Sequence, residues 1–208
     1  MIRLFSTDID GTLIGKPDAL DRFNASWKAC PKARRPLLCY NTGRLIDDIL
    51  DLISRGDLMS PDYLICGVGT LIYDFNKKSK IKGFTEILEE GWNRETVNKV
   101  VSQIPGATLQ PQHFQGPYKS SWYLTDAAEE KIAELEAALE RERLDVNVVY
   151  SSGRDLDVLP KYANKGNALT WFLKQLKIDP STVLVAGDTG NDSAMFRKKG
   201  IRGIVVGN

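Results

Sequence analysis

Short apolar runs bounded by turn residues alternate along this chain with longer segments whose apolar positions recur every three or four residues. Ile2-Arg3-Leu4-Phe5 is the first such run and reads as a buried strand. Asp18 is placed to cap a helix through about residue 29, with Leu20, Phe23 and Trp27 on one face. Pro36 opens Leu37-Leu38-Cys39-Tyr40, a second strand, and Leu45, Ile46, Ile49, Leu50 and Ile53 mark a helix stopping near Gly56. Tyr63-Leu64-Ile65-Cys66 and Leu71-Ile72-Tyr73 read as further strands. Strand and helix alternating at this pitch predict βαβ units around a parallel sheet.

The pattern changes near residue 83. A helix is expected over 94–104, stopped by Pro105-Gly106, then strands over 107–110 and 119–125. Asp126 is placed to cap a helix through about Arg143, with Ile132, Leu135 and Leu139 as its apolar stripe, and strands follow over 146–150 and 156–159. This order is an α+β unit, αββαββ, placed at 83–160 and inserted into an α/β domain made of 1–82 and 161–208. The α/β pattern then resumes with a helix over 165–176 and the strand Val183-Leu184-Val185-Ala186. The loop Gly187-Asp188-Thr189-Gly190-Asn191-Asp192, a short helix ending near Lys199 and a last strand Ile204-Val205-Val206 before Gly207-Asn208 complete it.

Composition narrows the function classes. Lys plus Arg number 28 against 27 Asp plus Glu, so no basic field points to nucleic acid or to an anionic membrane. Hydrophobic residues at 42% and charged residues at 26% are ordinary for a globular chain. Cys30, Cys39 and Cys66 form no CxxC pair, and the latter two lie in apolar runs, so buried free thiols in a reducing compartment are expected. Asp8 comes too early for a signal-peptide core and no apolar run reaches membrane-spanning length, so a cytoplasmic location is expected. The sequence does not fix the oligomeric state, and a monomer is the expectation. The single histidine, His113, reads as a surface loop residue and leaves acid–base chemistry mainly to carboxylates and lysine.

Candidate chemistry sits at the carboxyl ends of the core strands, where open α/β sheets place ligands. Asp8 and Asp10 follow the first strand, and two neighbouring acids call for a cation between or beside them. An EF-hand loop is excluded because Ala19 stands where the closing Glu belongs. Thr42-Gly43 follow the second strand, Asp188 and Asp192 follow the strand at 183–186, and Lys165 opens the helix before it. These types match phosphoryl transfer: a carboxylate as nucleophile, a second carboxylic acid for proton transfer, further carboxylates for Mg²⁺. A hydroxyl, an ammonium and the Gly11 and Gly43 amides would orient the phosphoryl oxygens.

Asp8-Ile9-Asp10-Gly11-Thr12, Thr42, Lys165 and Gly187-Asp188-Thr189-Gly190-Asn191-Asp192 together resemble the four motifs of the haloacid dehalogenase-like phosphatase superfamily. The resemblance implies a Rossmann-like core with Asp8 as nucleophile, Asp10 as general acid and base, and Thr42, Lys165 and Asn191 on the phosphate. It implies Mg²⁺ held by Asp8, the Asp10 carbonyl and Asp188, with Asp192 ligating it or its waters. The insert lies between Thr42 and Lys165, as in the subfamily with an αββαββ (C2-type) cap that opens and closes over the core. That position disfavours a mutase whose cap comes earlier. Asn41-Thr42-Gly43-Arg44, Lys119-Ser120-Ser121-Trp122-Tyr123 and Asp155-Leu156-Asp157-Val158-Leu159-Pro160 are similar to segments of sucrose-phosphatases and mannosylfructose-phosphate phosphatases. The implied substrate is a disaccharide phosphate, with Lys119, Ser120, Ser121 and Asp157 as candidate sugar contacts and Trp122 and Tyr123 divided between cap core and cleft. A phosphotransferase or mutase, a phosphatase of hexose monophosphates and a non-catalytic sugar-phosphate-binding module are the alternatives. Members of the superfamily usually continue beyond the last strand with helices that would cover one face or edge of the sheet, so a fragment or a shorter form with apolar surface exposed there is expected.

Overall fold

A computed structural model describes residues 1–188 and 190–207, and the chain divides into two compact units, Met1–Lys82 with Asn164–Asn208 and Gly83–Ala163. Asn208 lies outside the described residues, as does Thr189 of the acidic loop.

The first unit contains β1 (Leu4–Thr7), α1 (Pro17–Ala29), β2 (Leu37–Asn41), α2 (Ile46–Ser54), β3 (Tyr63–Cys66), β4 (Leu71–Asp74) and β5 (Ser79–Lys80). The second holds α3 (Thr85–Leu88), α4 (Arg94–Val101), β6 (Thr108–Leu109), β7 (Ser120–Tyr123), α5 (Glu129–Arg141), β8 (Val146–Ser151) and β9 (Asp155–Pro160). The chain then returns to the first unit with α6 (Lys165–Leu176), β10 (Val183–Gly187), α7 (Ser193–Phe196) and β11 (Arg202–Val205).

The strand order of the first unit is β11-β10-β1-β2-β3-β4-β5. The five strands from β11 to β3 are mutually parallel, whereas β4 and β5 add antiparallel as a meander after the Gly67-Val68-Gly69 turn. The expectation of a parallel sheet therefore holds for its centre and fails at one edge, because the β3–β4 turn is too short for a crossover. From β1 the chain proceeds to β2 and β3 on one side and later to β10 and β11 on the other. The gap above β1 and β10 is thus the switch point at which such sheets bind ligands. Thr7 pairs with both Ala186 and Tyr40, so Asp8 stands level with Gly187 and Asn41.

The apolar faces that define the helices pack on this sheet. Ile49 and Leu52 of α2 are buried with Leu38, Tyr40 and Leu64, and Phe5, Phe23 and Trp27 form an aromatic group under α1. Burying each large side chain of this kind contributes about 1.5–3 kcal/mol before chain entropy is subtracted. β11 is exposed along its length, with Ile204 at 48% and Val205 at 72% exposure.

The second unit is an antiparallel sheet, β6-β7-β9-β8, with α4 and α5 covering one face through Val97, Val101, Leu135, Leu139, Trp122, Leu156 and Val158. Helix starts differ from the simplest sequence reading. Lys16 rather than Asp18 precedes α1, since Pro17 already supplies a helical φ, and Asp18 falls in the first turn. Asp126 adopts φ 46° and turns the chain, so α5 begins at Glu129 after Ala128 instead of being capped by Asp126. α4 stops at Val101, before the Pro105-Gly106 breaker, and β6 retains only Thr108–Leu109.

Candidate active site

Asp8 follows β1 immediately, and its amide donates to the Ala186 carbonyl at 2.9 Å, tying it to β10. Its carboxylate faces Lys165, the first residue of α6, whose Nζ lies 2.9 Å from Asp8 Oδ1 and 2.6 Å from Asp192 Oδ1. Both carboxylates and the ammonium are nearly solvent-free, with side-chain exposures of 7%, 0% and 1%. A lysine this deeply buried is tolerated only because it bridges two anions. Its backbone is held too: Asn41 Nδ2 donates to the Lys165 carbonyl at 3.1 Å and contacts Met195 Sδ.

Asp188, at the end of β10, completes the group. One oxygen from each of Asp8, Asp188 and Asp192 lies within 4.8 Å of the others. Asp192 Oδ2 accepts the Asp188 amide at 3.0 Å, and Thr12 Oγ1 donates to Asp188 Oδ1 at 3.4 Å. Gly187 is required here by proximity, since a Cβ on it would collide with the Asp192 carboxylate. Burial pushes the Asp8 carboxyl up to about 6, the Lys165 charge opposing that rise and Asp192 adding to it. Three carboxylates against one ammonium leave an excess of negative charge among hard oxygen donors, a set that suits Mg²⁺.

Asp10 stands apart from that trio. Its two oxygens are taken by the guanidinium of Arg44, Nε to Oδ2 and Nη2 to Oδ1, both at 2.7 Å. Arg44 Nη1 also reaches Asp48 Oδ2 at 3.1 Å, one turn on in α2. Gly11, at φ 72°, turns the chain immediately after Asp10. Its amide donates to the Ile14 carbonyl at 2.7 Å, so the phosphate-facing amide expected from the sequence is engaged within its own loop.

Thr42 is fully buried and its Oγ1 accepts the Arg44 amide at 3.1 Å, which folds the Thr42-Gly43-Arg44 loop upon itself. That loop is pinned from behind, because Val68 N–H donates to the Thr42 carbonyl and Gly67 N–H to the Arg44 carbonyl. Val68 holds φ 59°, a strained value for a β-branched residue. Asn191 lies half-buried in the one-turn segment Gly190–Asp192.

The structure therefore brings Asp8, Lys165, Asp188 and Asp192 together by direct contact or close approach, with Thr42 and Asn191 at adjoining loop ends. The Asp10 carboxylate belongs to a separate ion pair. Arg44, Thr12 and Asn41 were not singled out as site residues by sequence reasoning. Asn41 precedes Thr42 and Arg44 lies two residues beyond it, a nearness to a motif residue that could have singled them out, though not the pairing of Arg44 with Asp10.

A profile of the sucrose-6F-phosphate phosphohydrolase family matches residues 1–208. The chain belongs to this family. Mannosylfructose-phosphate phosphatase of Agrobacterium fabrum is 46% identical over 207 residues, covering 100% of this chain and 84% of the relative. Sucrose-phosphatase 1 of Nicotiana tabacum is 36% identical over 97% of this chain, which spans only 49% of that longer protein. The sucrose-phosphatase of Synechocystis sp. PCC6803, solved with sucrose and phosphate, superposes with a TM-score of 0.88 at 31% identity, covering 99% of this chain and 83% of that one. Haloacid dehalogenase-like hydrolases are among the structures that share the fold. The superfamily fold read from the sequence, a Rossmann-like core with an α+β insertion, is thereby borne out.

In the second unit, strand alternation separates the expected sugar contacts. Lys119 Nζ lies 2.6 Å from Ser121 Oγ and 2.7 Å from Asp157 Oδ1, and Ser121 Oγ donates to the same Asp157 oxygen at 2.6 Å. These three share the sheet face away from the helices. Ser120 is on the other face: its hydroxyl donates to Asn98 of α4 and accepts from Trp122 Nε1, so it is part of the core rather than of a ligand surface. Trp122 is likewise core, while Tyr123 is half-buried beneath the Arg154 guanidinium. His113 is exposed and packs against Phe114. No described helix is long and apolar enough to cross a membrane.

Proposed function

We propose that this chain is a Mg²⁺-dependent phosphatase of a sugar phosphate, and that the sugar is a disaccharide such as mannosylfructose or sucrose. The observation that carries the chemistry is Lys165 bridging Asp8 and Asp192 beside Asp188 at the switch point of the sheet. An Asp8 oxygen attacks phosphorus, the P–O bond to the sugar breaks, and the departing oxygen takes a proton from Asp10, which enters this step as the neutral carboxyl group with its proton on a lone pair that the Arg44 fork leaves free. Water then attacks phosphorus, gives a proton to Asp10, and the P–O bond to Asp8 breaks, releasing phosphate and restoring both carboxyl groups. Lys165 fixes the direction of the Asp8 carboxylate and neutralises charge gathering on the transferred group. Asp8, Asp188 and Asp192 would hold Mg²⁺, which supplies charge neutralisation for the phosphoryl oxygens. Thr42 and Asn191 are assigned to the phosphate.

The disaccharide reading is supported by the names of the relatives and by the buried Lys119–Ser121–Asp157 network, whose polar groups are suited to hydroxyl recognition. We assign sugar binding to Lys119, Ser121 and Asp157 and withdraw Ser120.

A phosphate-release screen over mannosylfructose phosphate, sucrose 6-phosphate, trehalose 6-phosphate and hexose monophosphates tests this, run with Mg²⁺ and again with EDTA. The expected result is release that disappears with EDTA, with kcat/KM at least about a hundredfold higher for one of the first two, a preference worth about 2.7 kcal/mol. A flat profile would remove the disaccharide assignment. Turnover unaffected by EDTA would remove the metal, and an isomerised product without phosphate would make the chain a mutase.

A further inference from the structure

We propose that Arg44 is a positioning residue for Asp10, its guanidinium fork fixing the direction of the Asp10 carboxylate and being aimed in turn by Asp48. The inference rests on the assignment of Asp10 as the proton-transferring group. All three guanidinium nitrogens are used: Nε and Nη2 on the two Asp10 oxygens at 2.7 Å, and Nη1 on Asp48 at 3.1 Å. The parallel two-bond geometry is directional in a way a lysine contact is not.

Asp10 needs such a guide. Its side chain is 50% exposed and lies in the turn between β1 and α1. Asp8, by contrast, is fixed by burial and by Lys165. Arg44 is itself held at both ends. Its amide is bound to Thr42 Oγ1 and its carbonyl accepts from the Gly67 amide, so the fork stands on the same loop that carries Thr42. At 32% and 50% side-chain exposure, water screens much of the attraction, so the arrangement adds little to stability. Its consequence is orientation, and a carboxyl group misaimed by about 1 Å can cost on the order of a hundredfold in rate.

Leaving-group dependence separates this role from phosphate binding or from a general structural role. p-Nitrophenolate departs without protonation, whereas a sugar alkoxide does not. First-turnover release of p-nitrophenol from p-nitrophenyl phosphate, and of the sugar from the sugar phosphate that the screen ranks first, would be measured with enzyme in excess for Arg44→Ala, Arg44→Lys, Asp48→Asn and Asp10→Asn, because this release precedes the hydrolysis step that both substrates share. Arg44→Ala is expected to lower the first-turnover rate constant on the sugar phosphate by about 30–100-fold, with KM changed less than about threefold, and to lower it at least about tenfold less on p-nitrophenyl phosphate. Arg44→Lys should resemble it because the fork is lost, Asp48→Asn should show the same selectivity more weakly, and Asp10→Asn should show it most strongly. If Asp10→Asn shows the selectivity and Arg44→Ala and Asp48→Asn do not, the inference fails and the assignment of Asp10 stands. If Arg44→Ala raises KM equally for both substrates, the residue binds phosphate and the inference fails. If Asp10→Asn slows both substrates equally, or no sugar phosphate is turned over, the assignment of Asp10 fails and the inference with it.

Discussion

Asp8→Asn is expected to reduce phosphate release by about ten-thousandfold or more while leaving the folded state intact. An amide keeps the shape of the carboxylate and can still accept a hydrogen bond from Lys165, but it cannot form the bond to phosphorus. The folded state should tolerate the change because the Asp8 anion is held against burial, which pushes its carboxyl up to about 6. Removing that charge leaves Lys165 paired with Asp192 at 2.6 Å, so no buried ion is stranded. Thermal melts together with phosphate-release kinetics check both halves. Retained turnover would exclude Asp8 as the nucleophile, and loss of folding would show that its charge is structural.

Lys165→Met should differ by damaging stability as well as activity. The ammonium is 1% exposed between two carboxylates, and methionine fills similar space without charge. Two buried anions would then face one another, and breaking buried pairs in this manner costs about 3–5 kcal/mol. For a chain of this size that corresponds to a fall in Tm of roughly 6–20 °C. Adding Asp192→Asn to Lys165→Met removes one stranded charge and should recover part of the lost Tm without recovering turnover. A single variant with unchanged Tm would contradict the buried triad, as would a double variant less stable than the single one.

These two expectations draw on different amounts of sequence information. The alternation of apolar runs and amphipathic segments made the core strands, α2 and α6 readable, because burial against a central sheet imposes clear periodicities. The antiparallel edge formed by β4 and β5 was less readable, since a short apolar strand looks the same in either direction and the sense depends on the length of the preceding turn. Asp126 looked like a helix cap by residue type, yet its left-handed backbone shows it serving the turn after β7. At the site, Asp8, Asp188, Asp192 and Lys165 were legible because each follows or opens an element at the same end of the sheet. The Arg44–Asp10 pair was not, since it depends on side-chain directions across two loops that no spacing in the sequence encodes. Ser120 and Ser121 make the same point within one strand: neighbours in sequence, they point to opposite faces, and the core takes Ser120.

The central claim is that the phosphoryl group passes to the Asp8 carboxylate. Borohydride trapping tests it most directly: enzyme in excess is mixed with the preferred sugar phosphate and Mg²⁺, quenched within milliseconds, reduced, and mapped by peptide mass spectrometry. Reduction of an aspartyl phosphate yields homoserine, so the account predicts homoserine at position 8, absent without substrate. Homoserine at another aspartate, or rapid turnover with no reducible adduct at any time point, would contradict it.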